Sequence, residues 1–278
     1  MLPLSKILIP IDFSDRCAQA ATYALALAEH FHSIITLLHI SARHPAEANG
    51  QHIAEAQAGL KDFLRGESNH VNVQRELRFG DPATEIVGYA QSQQPDLIMM
   101  PTHGYGEFRR RLLGSVTMKV LHDVDCPVWT GAHLSAWLPT ESILPKVILC
   151  AIDVNRSGEE ILAWASEFAS SFNAQMEIVY AEPRFESFGE EYYSGNFYFR
   201  IMTAAKQKLE EMRRRAGAQG EIHIEPGDIP HAVVETAERR HADLVVIGRG
   251  SKTACGRLGL NTYGIIRSSR CPLISVPC

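Results

Sequence analysis

Short apolar runs alternate with amphipathic stretches along the chain. ILIPI (7–11), IITLLHI (34–40), LIMMP (97–101) and PVWT (127–130) are nearly continuous in apolar residues, the pattern of parallel strands covered on both faces. Between them, DRCAQAATYALALAEHF (15–31) and PATEIVGYAQSQ (82–93) carry apolar residues at three- and four-residue spacing, as helices with one buried face do. Strands that alternate with helices predict an α/β fold with a parallel sheet.

The pattern then repeats. KILIPID (6–12) returns as KVILCAID (146–153), and YALALAEHFHSIITLLHI (23–40) returns without a gap as WASEFASSFNAQMEIVYA (164–181). FGDPATEIVGYAQSQQPDLIMMPTHG (79–104) matches PGDIPHAVVETAERRHADLVVIGRGS (226–251), and Asp-Cys-Pro-Val (125–128) matches Arg-Cys-Pro-Leu (270–273). The matched aspartates Asp12 and Asp153 lie 141 residues apart, and Cys126 and Cys271 lie 145 apart. A period of that size makes each copy a whole domain rather than a solenoid unit. The reading is two tandem doubly wound parallel-sheet domains of about five strands each, residues 1–138 and 139–278, joined by the linker GAHLSAWLPTESILP (131–145).

Composition narrows the partners. Of 278 residues, 45% are hydrophobic, and 27 basic residues stand against 32 acidic ones for a formal charge of −5. With no long run of one sign, neither nucleic acid nor an anionic membrane is an expected partner. The amino-terminal MLPLSKILIPIDFS has no secretory-leader pattern, and no uninterrupted apolar run is long enough to span a bilayer. A cytoplasmic protein is expected. The six cysteines form no C-x-x-C pair and no zinc spacing, so they read as reduced, small buried hydrophobes, and no metal site is expected.

Candidate chemistry lies beyond the carboxyl ends of the strands, where open parallel sheets bind ligands. That places Asp12 after the first strand, Ile40 and Ser41 after the second, and the loop from Pro101 after the fourth. In MMPTHGYGEFRRRLLGSV (99–116), Gly104 and Gly106 permit tight turns, and Gly114-Ser115 opens a helix whose free amides favour an anion. Val116, Val120, Leu121 and Val124 supply that helix with a buried face. Neither near miss to G-x-G-x-x-G, GYGEFR or GRGSKT, has the last glycine, and no G-x-x-x-x-G-K-[ST] occurs. Asp12 reads equally as a turn residue or helix cap in DFSD, and Arg109, Arg110 and Arg111 as a solvated face.

Taken together, these features resemble the universal stress protein family in its tandem form. ATP-binding members carry G-x-x-G-x9-G-[ST] after the fourth strand, and here Gly104, nine residues and Gly114-Ser115 reproduce its second and third parts. The resemblance implies a Rossmann-like, adenine nucleotide alpha hydrolase-like fold and a site in the first domain for ATP, with or without Mg2+. By the same resemblance, Pro10, Ile11 and Asp12 would meet the adenosine part and Ile40 the adenine through its backbone. Pro101, His103, Gly104, Gly114, Ser115 and Val116 would line the phosphates. It also implies an internal pseudo-dimer through CPVWT and CPLISV, and leaves open a further homodimer.

Two departures matter. Pro101 replaces the motif's first glycine and has no N–H. In the second copy Ser251 replaces the second glycine, seven residues separate it from Gly259, and Leu260 replaces the serine expected to cap the helix, so that copy reads as a degenerate site. The segment 185–199, with seven aromatic residues, reads as a sheet cover or as a partner surface. Three function classes follow: an ATP-binding stress-response or signalling module, an ATP-hydrolysing enzyme, and a scaffold without nucleotide. Against the enzyme, no general base and no pair of magnesium carboxylates stands beside the loop apart from Asp12.

Overall fold

The computed structural model describes residues 4–42, 50–66, 70–102, 113–131, 144–182, 196–250 and 258–278. The first half runs β1 (Lys6–Ile11), α1 (Asp15–Phe31), β2 (Ile34–Ser41), α2 (Gly50–Asp62), β3 (Asn72–Phe79), α3 (Pro82–Gln93), β4 (Leu97–Pro101), α4 (Ser115–Asp123) and β5 (Val128–Gly131). The second repeats it as β6 (Val147–Ala151), α5 (Arg156–Ser171), β7 (Gln175–Glu182), α6 (Asn196–Arg215), β8 (Glu221–Pro226), α7 (Ile229–Arg239), β9 (Leu244–Arg249), α8 (Leu260–Ser268) and β10 (Leu273–Pro277). The linker residues 132–143 and most of the aromatic segment, 185–195, lie outside the described residues.

All ten strands form one sheet in the order β3-β2-β1-β4-β5-β10-β9-β6-β7-β8. Each half contributes the doubly wound order 3-2-1-4-5, and every pairing within a half is parallel. The halves meet where β5 and β10 pair antiparallel, Leu273 opposite Thr130, Ile274 opposite Trp129 and Ser275 opposite Val128. These are the Cys-Pro strands of the sequence repeat.

Because side chains alternate across a strand, the sheet feeds two apolar layers, and each runs through both halves. One holds Ile7, Ile9, Met99, Trp129, Cys150, Val246 and Ile274 against α1 and α5; the other holds Leu8, Ile98, Val128, Leu149, Val245 and Leu273 against α3, α4, α7 and α8. On the α1–α5 side the halves touch through rings: Phe31 meets Phe172 edge-on at 5.3 Å, and His30 stacks on Phe172 at 4.8 Å while its Nε2 pairs with the Ser171 carbonyl at 2.8 Å.

The duplication extends to single hydrogen bonds. Asp96 accepts from the backbone N–H groups of Ser5 and Lys6, and its match Asp243 accepts from those of Lys146 and Val147. Asp81 caps α3 through Thr84 N–H, and Asp228 caps α7 through His231 N–H. Each carboxylate satisfies an otherwise orphaned donor at a strand or helix start. Among the described residues, no helix is long and apolar enough to cross a membrane.

Candidate functional site

Parallel strands bring the ends of β1, β2 and β4 to one edge of the first half, with the starts of α1 and α4 above them. Pro10 and Ile11 close β1, buried and in register with Leu38 and His39. The β1–β4 ladder stops at Leu8 opposite Ile98, whereas the matching β6–β9 ladder runs on to Ala151 opposite Ile247. Pro10, which brings no N–H to a ladder, stands where the second half has Ala151. Ile40 is half-buried inside the end of β2 rather than after it, because that strand continues through Ser41.

Asp12 follows β1 half-buried. Its Oδ1 accepts from Ser14 N–H at 3.0 Å and from the Cys17 thiol at 2.9 Å. Burial pushes its carboxyl up, but the hydrogen bonds from Cys17 and Ser14 outweigh that and hold it below the usual carboxylate value. Burial first, and the Asp12 carboxylate second, push the Cys17 thiol up to about 12. Of the candidates in DFSD, Ser14 is the α1 cap, its Oγ accepting from Cys17 N–H at 3.3 Å. Asp12 shapes the turn before it. Of the cysteines expected to be small buried hydrophobes, Cys17 and Cys150 are buried, Cys17 also donating to the Asp12 carboxylate, whereas Cys126, Cys271 and Cys278 are only partly buried. Phe13, at φ 62°, packs on His39 at 4.3 Å, and His39 Nδ1 pairs with the Ile11 carbonyl at 2.9 Å. This ring wall beside Asp12 had no sequence signal beyond an aromatic residue in the turn.

At α4, Gly114 is the N-cap, at φ −61° and ψ 144°, and no side chain caps the helix. Ser115 is therefore the first helical residue and exposed, not the cap expected from the sequence. Its hydroxyl sits one position too late to close back on the first turn. Val120 and Leu121 are buried, Val116 is half-buried, and Val124 follows the helix end. Two bonds pin this uncapped end to β4: Gly114 N–H to the Thr102 carbonyl at 2.9 Å, and Thr117 Oγ1 to the Pro101 carbonyl at 3.1 Å. His103, Gly104 and Arg109 to Arg111 lie outside the described residues.

The second half keeps the same frame. Thr262 Oγ1 donates to the Gly248 carbonyl at 3.4 Å, as Thr117 does to Pro101, and Gly259 caps α8 without a side-chain bond. Gly158 stands where the first half has Cys17, and a Cβ there would lie 1.9 Å from the Asp153 carbonyl oxygen. A cavity of about 540 Å³ opens here, bordered by Asp153, Ala181, Gly248, Gly259 and Leu260. These match Asp12, Ile40, Pro101, Gly114 and Ser115 in the sequence repeat. A separate cluster joins Glu177, Glu221 and His223 on β7 and β8, whose oxygens and ring nitrogen could meet one ion. Arg240 already donates to Glu177 at 2.8 Å and to Glu221 at 3.0 Å, and His223 Nε2 pairs with Glu177 at 2.7 Å.

A doubly wound parallel sheet in each half, with helices on both faces and an uncapped helix start beside the strand ends, defines a tandem α/β class. The universal stress protein family model matches residues 3–130 and again 145–277, so the chain belongs to that family, with two of its domains in tandem. A universal stress protein of Methanocaldococcus jannaschii is 34% identical over 134 residues, covering 44% of this chain and 79% of that protein. The universal stress protein A homolog 1 of Coxiella burnetii is 28% identical over 141 residues, 47% of this chain and 95% of that protein. Among solved structures, a universal stress protein of Archaeoglobus fulgidus superposes with a TM-score of 0.71 at 20% identity, covering 100% of this chain and 98% of that one. That likeness concerns the fold of the whole tandem.

Proposed function

We propose that the first half binds ATP at the ends of β1, β2 and β4, and that occupancy biases conformation or partner choice in a cytoplasmic stress-response or signalling protein. The observation that carries this is the start of α4, where Gly114 leaves the helix without a side-chain cap while two hydrogen bonds hold that end against β4. First-turn amides and the positive end of the helix dipole then lie at the carboxyl end of β4, an arrangement suited to phosphate. Asp12 and the backbone of Ile40 lie at the same edge, where the nucleoside would sit. We read domains 1–138 and 139–278 as an internal pseudo-dimer, supported by the antiparallel β5–β10 joint.

The test is purification of the full chain, an ultraviolet spectrum and mass spectrum for co-purified nucleotide, and calorimetric titration with ATP with and without Mg2+. Saturable binding of one ATP supports the reading. No heat and no nucleotide would leave the fold as a scaffold. Steady release of phosphate in a turnover assay would make it an enzyme.

A further inference from the structure

We propose that Glu177, Glu221 and His223 form a site for a divalent transition-metal ion of the zinc type, bound in exchange for the Arg240 guanidinium. The three stand on neighbouring strands: Glu177 on β7 lies opposite Glu221 on β8, and His223 is two residues further along β8, on the same face. Their donor atoms all lie within 4.8 Å of one another, and His223 Nε2 is 2.7 Å from Glu177 Oε2. An ion held at about 2.0–2.2 Å from each donor needs them slightly closer, which the exposed Glu221 supplies by rotating its side chain inward. Two carboxylates and an imidazole are a zinc-type donor set, unlike the all-oxygen sets that suit magnesium or calcium.

The cluster departs from the duplicated plan. Matched positions in the first half hold Thr36, Gln74 and Glu76, with Gln93 in the place of Arg240, and Thr36 pairs with Gln74 as Glu177 does with Glu221. The same fold therefore forms without these groups. Yet the second half keeps a carboxylate with 1% of its surface exposed on β7, an inner strand, where a charge is costly unless a cation meets it. Arg240 stands in for that cation, its Nη2 lying between the two carboxylates at 2.8 Å from Glu177 and 3.0 Å from Glu221. It is the C-cap of α7 and its side chain is 32% exposed, so the guanidinium can move to water as an ion takes its place.

A carboxylate only accepts, so the proton between His223 and Glu177 is carried by Nε2. When the ion binds Nε2, a neutral ring shifts that proton to Nδ1, and an imidazolium releases one proton to water. Because β8 is the outer strand of the sheet, an ion shared by β7 and β8 would fasten that edge. This inference does not depend on ATP binding in the first half.

The test is calorimetric titration of Zn2+ into the untagged full chain, first stripped of metal with a chelator, for the wild type, Glu221→Gln, His223→Gln and Arg240→Met. Twelve histidines are spread along the chain, so the variants rather than the heat alone assign the site. The expected result is a saturable site in the wild type that weakens at least about tenfold in Glu221→Gln and His223→Gln. It should tighten at least about tenfold in Arg240→Met, which removes the competing cation. Zn2+ should also raise the melting temperature of Arg240→Met, which a purely structural ion pair would not allow. Glu221 is exposed, so Glu221→Gln keeps the test decisive if His223→Gln fails to fold. No saturable site in the wild type, unchanged affinity in folded Glu221→Gln, or no gain in Arg240→Met would overturn the proposal.

Discussion

Arg249 Nη1 donates to the carbonyl oxygen of Val124 across 3.1 Å, and in doing so a residue at the end of β9 closes the far end of α4. The same guanidinium donates to the carbonyls of Leu121 and, at 2.7 Å from Nη2, Cys126. Arg249 is completely buried. A cation among the last carbonyls of a helix complements the negative end of its dipole. The helix so closed is the one whose other end faces the proposed phosphate site. These bonds join the two halves, from a residue whose neighbours Gly248 and Gly250 border the second cavity to the carboxyl end of α4.

Replacing Arg249 with Leu keeps an apolar stem but strands three carbonyls in the interior. On the usual worth of hydrogen bonds to a charged group, the loss should be about 3 kcal/mol or more. Urea unfolding checks this: the midpoint should fall sharply with a single transition retained, since both apolar layers are shared by the halves. A change below about 0.5 kcal/mol, the scale of a neutral surface change, would show that the link carries no weight.

Backbone amides rather than arginines should hold the phosphate. Gly114→Val puts a branched side chain where the triphosphate approaches, in a conformation valine can adopt. It should weaken ATP binding more than Arg110→Ala does, by a margin above about 1 kcal/mol. Calorimetric titration of the two variants decides between them. The reverse order would mean that charge holds the ligand.

The Glu177 cluster should make stability depend on pH in the acid range. Burial pushes the Glu177 carboxyl up, but Arg240, His223 and Gln175 together hold it below its usual value. Its folded value is thus lower than its unfolded one, so the stability it contributes is complete above the usual carboxylate range. That contribution fades as the pH falls through the folded value. Glu177→Gln should lower stability at pH 7 by about 2 kcal/mol, and the gap from wild type should shrink toward pH 3. Parallel curves at every pH would mean that packing, not charge, is lost.

Cys17 should resist alkylation. With its thiol pushed up to about 12 by burial and by the Asp12 carboxylate, and with 2% of its surface exposed, almost no thiolate is available at pH 8. Cys150, pushed up by burial alone, should behave alike. Iodoacetamide labelling followed by peptide mass spectrometry should modify both only in denaturant. Rapid native labelling of Cys17 would contradict the observed turn.

Much of the fold was legible because its signals are local. The helices expected over 15–31 and 82–93 are α1 and α3, residue for residue, since three- and four-residue spacing, Ser14 and Asp81 at the caps, and Gln94 past the end all act within one or two turns. LIMMP is β4 in full. By contrast, β3, NVQRELRF, did not stand out. It is the edge strand of the first half, only partly buried, so its apolar positions are diluted by charged ones. In the candidate site, the place of Asp12, Ile40 and Gly114 near the strand ends was legible, because a parallel sheet sends its strand ends to one edge. The ring of Phe13 on His39, the Cys17 bond to Asp12 and the cavity of the second half were not, because each needs residues that only packing brings together.

By itself the sequence determined that two α/β domains stand in tandem, since hydrophobic period, caps and the order of landmarks are written within each copy and then written again. Family resemblance pointed to CPVWT and CPLISV as the joint between the copies, and the tertiary structure fixed their antiparallel pairing and register within one sheet. Edge pairing between β5 and β10 depends on which strand each edge meets, and a run such as VWT carries no partner in its own pattern. Tertiary structure also decided that Arg249, the last residue of β9 between two glycines, lies in the interior. A buried guanidinium is tolerable only where several acceptors converge on it, and the carbonyls of Leu121, Val124 and Cys126 converge there from more than a hundred residues away along the chain.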